Sequence, residues 1–241
     1  FIHSWFAGDD LRVASLQWLW VVLGGGALLT FLHHRFVRPA ARRRRPYRVS
    51  GLRQEADDVW TIELQPSEKT KPFNYLPGQF HFFTLHRGRG LPEEEHHFTI
   101  SSSPTQPGRL TSTIKAIGDF TSTIKDTEVG DEASVQGAFG RFSHALHPQD
   151  QDLVFIAGGI GITPLMSMLR AMKDNADHRR VLLLYANRNE SSIVFREELA
   201  EIKAGTHPQL EMVHILSKPS EDWTGEKGHI DRNQIGRASC R

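Results

Sequence analysis

Three patterns of apolar and polar positions succeed one another along the chain. From Val13 to Phe36 there is no acid and only one base, Arg35, near the end. Ser15, Gln17 and Thr30 are the only polar interruptions before His33. Val13–Leu32 therefore supplies about 20 mostly apolar residues, the length that crosses a hydrocarbon core of ~30 Å. Trp18 and Trp20 lie near one end, where an aromatic belt forms. A cleaved signal peptide carries its bases ahead of the apolar run, and here they follow it. The pattern predicts a transmembrane helix, in preference to a buried soluble helix or a signal remnant.

Between Tyr47 and His147 the pattern shortens to strands. Trp60, Ile62 and Leu64 alternate with Thr61 and Glu63, the period of a half-buried strand. Pro77-Gly78 marks a turn before the strand Gln79–Leu85. Phe98–Ser101, Leu110–Ile117 and Glu132–Gln136 are further candidates. Short strands separated by turns predict a small antiparallel barrel. From Asp152 the pattern changes again. Leu153–Ala157 is a continuous apolar run, as expected of a parallel strand buried on both faces. Gly158-Gly159-Ile160-Gly161-Ile162-Thr163-Pro164 follows, with Thr163 suited to an N-cap and Pro164 to the first helical position. Leu165, Met168, Leu169 and Met172 then mark one apolar helix face. Val181–Ala186 and Leu210–Leu216 read as buried strands. Between them, Phe195, Leu199 and Ile202 give a helix its apolar face, and Gly205 can end it. This βαβαβ succession predicts a parallel, doubly wound α/β domain.

Composition narrows the function. The chain has 241 residues, 39% of them hydrophobic and 24% charged, with a net charge of +1. These values exclude disorder, collagen and coiled coil, and no nucleic-acid partner is expected. A single cysteine excludes a disulfide framework and a Cys-only metal centre, and no metal site is expected. The charge is unevenly laid out. Arg35, Arg38, Arg42, Arg43, Arg44, Arg45 and Arg48 follow the apolar run with no acid until Glu55, whereas Asp9, Asp10 and Arg12 precede it. By the positive-inside rule the C-terminal side faces the cytoplasm, and the arginines read as an anchor on anionic headgroups. His33-His34 reads as an interfacial pair, because a haem ligand in a membrane bundle sits deeper.

Three stretches carry candidate chemistry. His96-His97-Phe98-Thr99-Ile100-Ser101-Ser102 sets an aromatic, able to stack on a flat cofactor, beside hydroxyls able to bond a ring nitrogen. Lys115-Ala116-Ile117-Gly118-Asp119-Phe120-Thr121 ends a strand at a glycine, where a short helix can offer free N–H groups to phosphate. The glycine turn after Ala157 lets backbone approach a pyrophosphate at a helix N-terminus. The acid expected about 20 residues on is not evident. Arg188 could meet a 2′-phosphate and Glu190 a ribose, which leaves NADH against NADPH open.

The order of barrel, then glycine-rich βαβ unit, resembles the ferredoxin–NADP reductase superfamily of flavoproteins. With the preceding apolar helix it looks like the ferric reductase and NADPH oxidase branch. The stretches that carry the resemblance are Leu76–Phe80, His96–Ser102, Lys115–Thr121, Gly137–Phe142 and Ile156–Pro164. The resemblance implies that Phe98 flanks the isoalloxazine of FAD, with Ile100 in the same motif. It implies that Thr99, the residue at the reacting atoms, hydrogen-bonds near the flavin N5. His96 takes a position that contacts the pyrophosphate, and His97 falls where Pro is common. Lys115, Gly118 and Thr121 match the segment that cradles the FAD phosphates. Gly137-Ala138-Phe139-Gly140 matches a turn in which Ala138 replaces Pro. Gly158, Gly159, Gly161, Thr163 and Pro164 match the NAD(P)H pyrophosphate loop.

The family reaction passes a hydride from NAD(P)H to FAD, then single electrons to haem and on to an acceptor such as ferric iron or oxygen. The implied partners are therefore NAD(P)H, the lipid bilayer and an electron acceptor. The implied location is the inner membrane, with the flavin domain in the cytoplasm. Haem is expected only in an upstream multi-helix domain. The expected organisation is a periplasmic loop and last transmembrane helix (1–37), a basic linker (38–46), a flavin barrel (47–148), a partial nucleotide domain (151–234) and a non-native tail (235–241). A start without Met and the tail Ile235–Arg241, which resembles translated adaptor, suggest a fragment. Cys240 is not the cysteine the family places near the nicotinamide. A membrane-anchored flavin or nucleotide sensor without turnover is the alternative.

Overall fold

The computed structural model describes residues 13–43, 46–68 and 70–231. Asp9, Asp10, Arg12, Arg44, Arg45, the expected domain end at residue 234 and the tail Ile235–Arg241 lie outside the described residues. The chain divides into two compact units, with the break before Pro46.

The first unit is helical. Helix α1 (Ala14–Leu32) passes into a π-helical turn at His33–Val37 and then into α2 (Arg38–Arg43). Its apolar residues point all round, and none is buried. Such a helix has no stripe to lay on a soluble core. Ala14–Val37, 24 residues, is long and apolar enough to cross a membrane. At ~1.5 Å per residue it exceeds a ~30 Å hydrocarbon core. Residues 38–43 of the stretch expected as a linker are helical. In the π turn the His33 and His34 rings meet edge-on at 5.6 Å, and Arg38 reaches the Nδ1 of His34 at 3.2 Å.

The second unit opens with β1 (Tyr47–Ala56), β2 (Val59–Pro66), β3 (Phe80–His86), β4 (Glu95–Thr99) and β5 (Leu110–Lys115). A short helix, α3 (Asp119–Ser122), precedes β6 (Glu132–Phe139). The six strands form one antiparallel sheet in the order β4-β3-β6-β1-β2-β5. The sheet closes just past β4, where the Ser101 N–H donates to the Thr111 carbonyl at 2.8 Å. Ile62, Leu64, Phe83, Leu85, Ile100 and Ile114 fill the interior. Strand β1 was not apparent from alternation, because its register shifts twice against β2, at Val49/Gly51 and Gln54/Ala56. Thr61, expected on the solvent face, is buried and bonds Thr113 Oγ1 at 2.7 Å. The far face of β2 is thus covered at Thr61 but half-open at Glu63 and exposed at Gln65.

The parallel sheet contains β7 (Asp152–Gly158), β8 (Arg180–Asn187), β9 (Gln209–Leu216) and a short β10 (Glu226–Lys227) absent from the sequence reading. Helices α4 (Thr163–Asp174) and α5 (Arg196–Ala204) cross between strands. The order is β10-β9-β8-β7. Leu165, Met168, Leu169 and Met172 are buried as their spacing predicts. The expectation for Leu153–Ala157 is overturned. β7 stands at the sheet edge, and Val154 and Ile156 are 50% and 49% exposed while Phe155 and Ala157 are buried. A run apolar on both faces looks identical in sequence whether or not both faces are covered.

Two of the tyrosines anchor the unit through hydrogen bonds. Tyr75 shares a hydrogen bond with Ser102 Oγ at 2.9 Å, and Tyr185 donates to the Gly159 carbonyl at 3.2 Å. The Tyr47 hydroxyl is buried without a hydrogen-bond partner among the described residues.

Candidate functional site

Strand β4 presents alternate side chains to two surroundings. Phe98 is half-buried, 5.1 Å from the Phe83 ring and 6.4 Å from Phe120. His96, on the same side, stacks on Phe120 at 4.1 Å, and its Nε2 meets Glu94 at 2.9 Å. The guanidinium of buried Arg87 lies 5.6 Å from the same Phe120 ring and donates to the Thr123 carbonyl at 2.6 Å. These contacts fix the α3 segment against β4. On the opposite face His97 packs with Phe80 and Phe82, at 5.9 and 5.7 Å. Ile100, expected beside the flavin, is fully buried in the barrel core. Opposite Phe98 on β3 lies His81, fully buried and 2.7 Å from Ser112 Oγ. Burial pushes its pKa down to about 3, so His81 is neutral near neutral pH.

The segment expected to cradle phosphate is differently built. The N–H groups of Ile117 and Gly118 both donate to Thr121 Oγ1, at 3.0 and 2.9 Å. They are not free for an anion, because Thr121 closes the turn itself. Lys115 pairs with Asp58 at 3.3 Å. It lines a cavity of about 400 Å³ with Gly159, Asn187, Arg188 and Lys218. Lys115, Gly159 and Arg188 are therefore brought together, whereas His96, Phe98 and Thr99 stand outside this cavity.

The glycine turn follows β7 as a 3-10 turn, Gly159–Ile162, before α4 begins. Thr163 is not the N-cap. Ile162 holds that place, and the Thr163 hydroxyl donates to the Ile160 carbonyl at 3.2 Å. Pro164 lies in the first turn as expected. Gly159 has φ +50°, which favours glycine. A Cβ at Gly158, Gly159 or Gly161 would meet no atom within 4 Å, so the loop fronts open space.

Asn187 and Lys218 are among the cavity residues that no sequence motif singles out. Asn187, at the end of β8, is 7% exposed, and neither its amide nitrogen nor its oxygen has a hydrogen-bond partner among the described residues. The Tyr185 hydroxyl is close enough for the amide to influence it, without a bond of normal geometry. Burial nevertheless pushes the Tyr185 pKa up to about 12. An orphaned amide facing a cavity costs ~1–3 kcal/mol unless something completes it. The backbone N–H of Lys218 donates to the Arg188 carbonyl at 2.7 Å. A polar residue ending an apolar run, as in Ala186-Asn187-Arg188, is the signal that would have found Asn187. Glu190, expected at a ribose, is held by Ser220 through its hydroxyl at 2.5 Å and its N–H at 3.0 Å.

These observations fit two groups. The open glycine loop, the orphaned Asn187 amide and the cations of the cavity suit a dinucleotide. The half-buried Phe98 ring suits a flat flavin.

Comparisons with known proteins bear on the same segments. A family model described as an FAD-binding domain matches residues 48–182. One described as an oxidoreductase NAD-binding domain matches residues 155–239. The chain is similar to the stachydrine N-demethylase reductase subunit Stc4 of Rhizobium meliloti, 31% identical over 187 residues, covering 76% of this chain and 52% of the relative. It is also similar to NADH-cytochrome b5 reductase 1 of Cryptococcus neoformans, 28% identical over 149 residues, covering 61% and 47%. It thus spans about half the length of these relatives. Among solved structures, the CS-b5R domains of human Ncb5or in the NAD+ form align with a TM-score of 0.70 at 23% identity, over 82% of this chain and 58% of that one.

Proposed function

Because this chain belongs to the FAD-binding domain family of ferredoxin–NADP reductase-like flavoproteins, we propose that it serves an NAD(P)H-dependent flavin oxidoreductase. The observation that carries the reading is the cavity in which Lys115 of the barrel meets Gly159, Asn187 and Arg188 of the parallel sheet. It lies where the end of β5 meets the glycine loop and the end of β8. FAD, when bound, converts a hydride into single electrons. The residues of this chain bind and orient. Phe98 and Thr99 are proposed to flank the flavin ring, and Gly158, Gly159 and Gly161 to front the dinucleotide pyrophosphate. Asn187 would bond the dinucleotide through both ends of its amide. No side chain need act as nucleophile or general base.

A preference for NADPH is favoured by charge. Arg188 and Lys218 line the cavity, and Glu190, the acid that would receive a ribose hydroxyl, is engaged by Ser220. Membrane attachment with the second unit on the cytoplasmic side is favoured by Ala14–Val37 and the arginines after it. The ferric reductase reading, with electrons passed to haem in an upstream domain and on to ferric iron or oxygen, rests on that helix and the resemblance. The test is the full chain, loaded with FAD and mixed anaerobically with NADPH or NADH. Loss of the oxidised flavin absorbance is expected. Flavin that stays oxidised with both nucleotides would instead favour a sensor without turnover.

A further inference from the structure

Helix α4 carries a polar stripe that leaves its own sheet. Ser167 Oγ, fully buried, donates to the Ser102 carbonyl at 2.7 Å. Arg170, three residues on, donates through Nη1 to the Ser101 carbonyl at 2.5 Å. Asp174 accepts a hydrogen bond from the Thr105 hydroxyl. Positions i, i+3 and i+7 share one helix face, so the stripe is continuous. Its targets are the residues by which the chain leaves β4, immediately after Phe98 and Thr99.

Arg170 is itself fixed. Its Nε and Nη2 form a bidentate pair with Glu198 of α5, at 2.7 and 2.6 Å. Its guanidinium lies 4.9 Å from the centre of the Phe195 ring. Phe195 is buried and holds φ +60°, a backbone conformation seldom adopted by residues other than glycine. The receiving end is equally constrained. Ser101 Oγ bonds the Thr111 and Thr113 hydroxyls, at 2.9 and 3.2 Å, in a buried cluster. The same helix starts at the glycine loop. One rigid element therefore connects the loop to the exit of β4.

We propose that Arg170, braced by Glu198, is a positioning residue that sets the separation between the Phe98–Thr99 strand and the Gly158–Gly161 loop. It rests on the reading of this site as a flavin and NAD(P)H site. Arg170 touches neither proposed cofactor contact. It acts through the Ser101 carbonyl, two residues from Thr99. A lysine cannot replace it fully, because one ammonium lacks the fork that serves the carboxylate and the carbonyl together.

The test uses the full chain in lipid nanodiscs, loaded with FAD, as wild type and as Arg170→Lys, Arg170→Met and Glu198→Gln. Flavin reduction is measured anaerobically at saturating NADPH or NADH, beside FAD affinity and the charge-transfer absorbance of the reduced flavin with oxidised nucleotide. Amide exchange of residues 100–103 is measured without nucleotide. A misplacement of ~1 Å can cost about a hundredfold in rate. Arg170→Met is therefore expected to slow reduction by about tenfold or more, lose charge-transfer absorbance, speed exchange at 100–103 and leave FAD affinity nearly unchanged. Arg170→Lys should recover part of each. If Arg170→Met misfolds, Glu198→Gln decides, with smaller changes in the same direction. Reduction and charge-transfer absorbance per bound flavin equal to wild type would overturn the proposal. Wild type that no nucleotide reduces would defeat the proposed function instead. Exchange at 100–103 would then decide whether Arg170 fixes this strand.

Discussion

Phe98 and Trp60 are both partly buried aromatics packed against the barrel core, yet their truncations should differ in kind. Phe98 stands beside Thr99 at the proposed flavin face, and Trp60 lies on β2. Phe98→Ala should weaken FAD binding by ~0.5–1.5 kcal/mol beyond buried area, and Trp60→Ala should lower Tm while leaving flavin affinity intact. Equal flavin retention in wild type and Phe98→Ala, at matched folded fraction, would contradict the assignment. At the cavity, charge supplies the contrast. Replacing both Arg188 and Lys218 with Ala should weaken NADPH more than NADH. A hydrogen bond to a charged group contributes ~1.5–3 kcal/mol, so the loss should be about tenfold or greater, read by titration with each nucleotide. Equal losses for the two nucleotides would remove the case for a 2′-phosphate contact.

At the scale of elements, apolar periodicity found what it can report. The α4 face and the α1 helix follow directly from residue spacing, because burial of a helix stripe, or of none, leaves a distinct period. Strand β1 was hidden by its register shifts, and β10 by having only two residues, Glu226 and Lys227. Of the residues the motifs single out, Lys115, Gly159 and Arg188 come together at one cavity, whereas Phe98 and Thr99 stand outside it. The candidate site was illegible where a hydrogen bond diverts a group, as Thr121 does for two backbone amides and Ser220 for Glu190. Edges are equally invisible, since the neighbour that covers a strand is not local in sequence. Strand β7 pairs on one side among the described residues. Its exposed Val154 and Ile156 make an edge prone to association. Val154→Lys should reduce light scattering on concentration, with Tm changed within the ~0.5 kcal/mol typical of surface substitutions. Unchanged scattering would mean that this edge is covered in the protein.

Across the second unit, the barrel and the parallel sheet meet at a turn with no spare room. Gly78 has φ +96°, and a Cβ there would come within 2.5 Å of the Met168 side chain on α4 and 2.2 Å of the Phe142 carbonyl. Gly78→Ala should therefore push the turn away from α4, destabilising by ~1–3 kcal/mol as overpacking does, with left-handed strain in addition. Calorimetry of the full chain would measure the drop in Tm, and a variant as stable as wild type would show that the contact can relax.

The tyrosines have a spectroscopic consequence. The chain contains three, and burial pushes Tyr47, Tyr75 and Tyr185 each up to about 12. An unfolded tyrosine ionises near ~10. A raised folded pKa favours the neutral phenol, so this stability is full below ~10 and is lost as pH rises toward the folded value. Phenolate ultraviolet absorbance should stay low through the range where free tyrosine titrates, and then appear together with loss of ellipticity. Alkaline titration would thus report unfolding through an ionisation signal. A phenolate step near the free value, with ellipticity intact, would show at least one hydroxyl open to water.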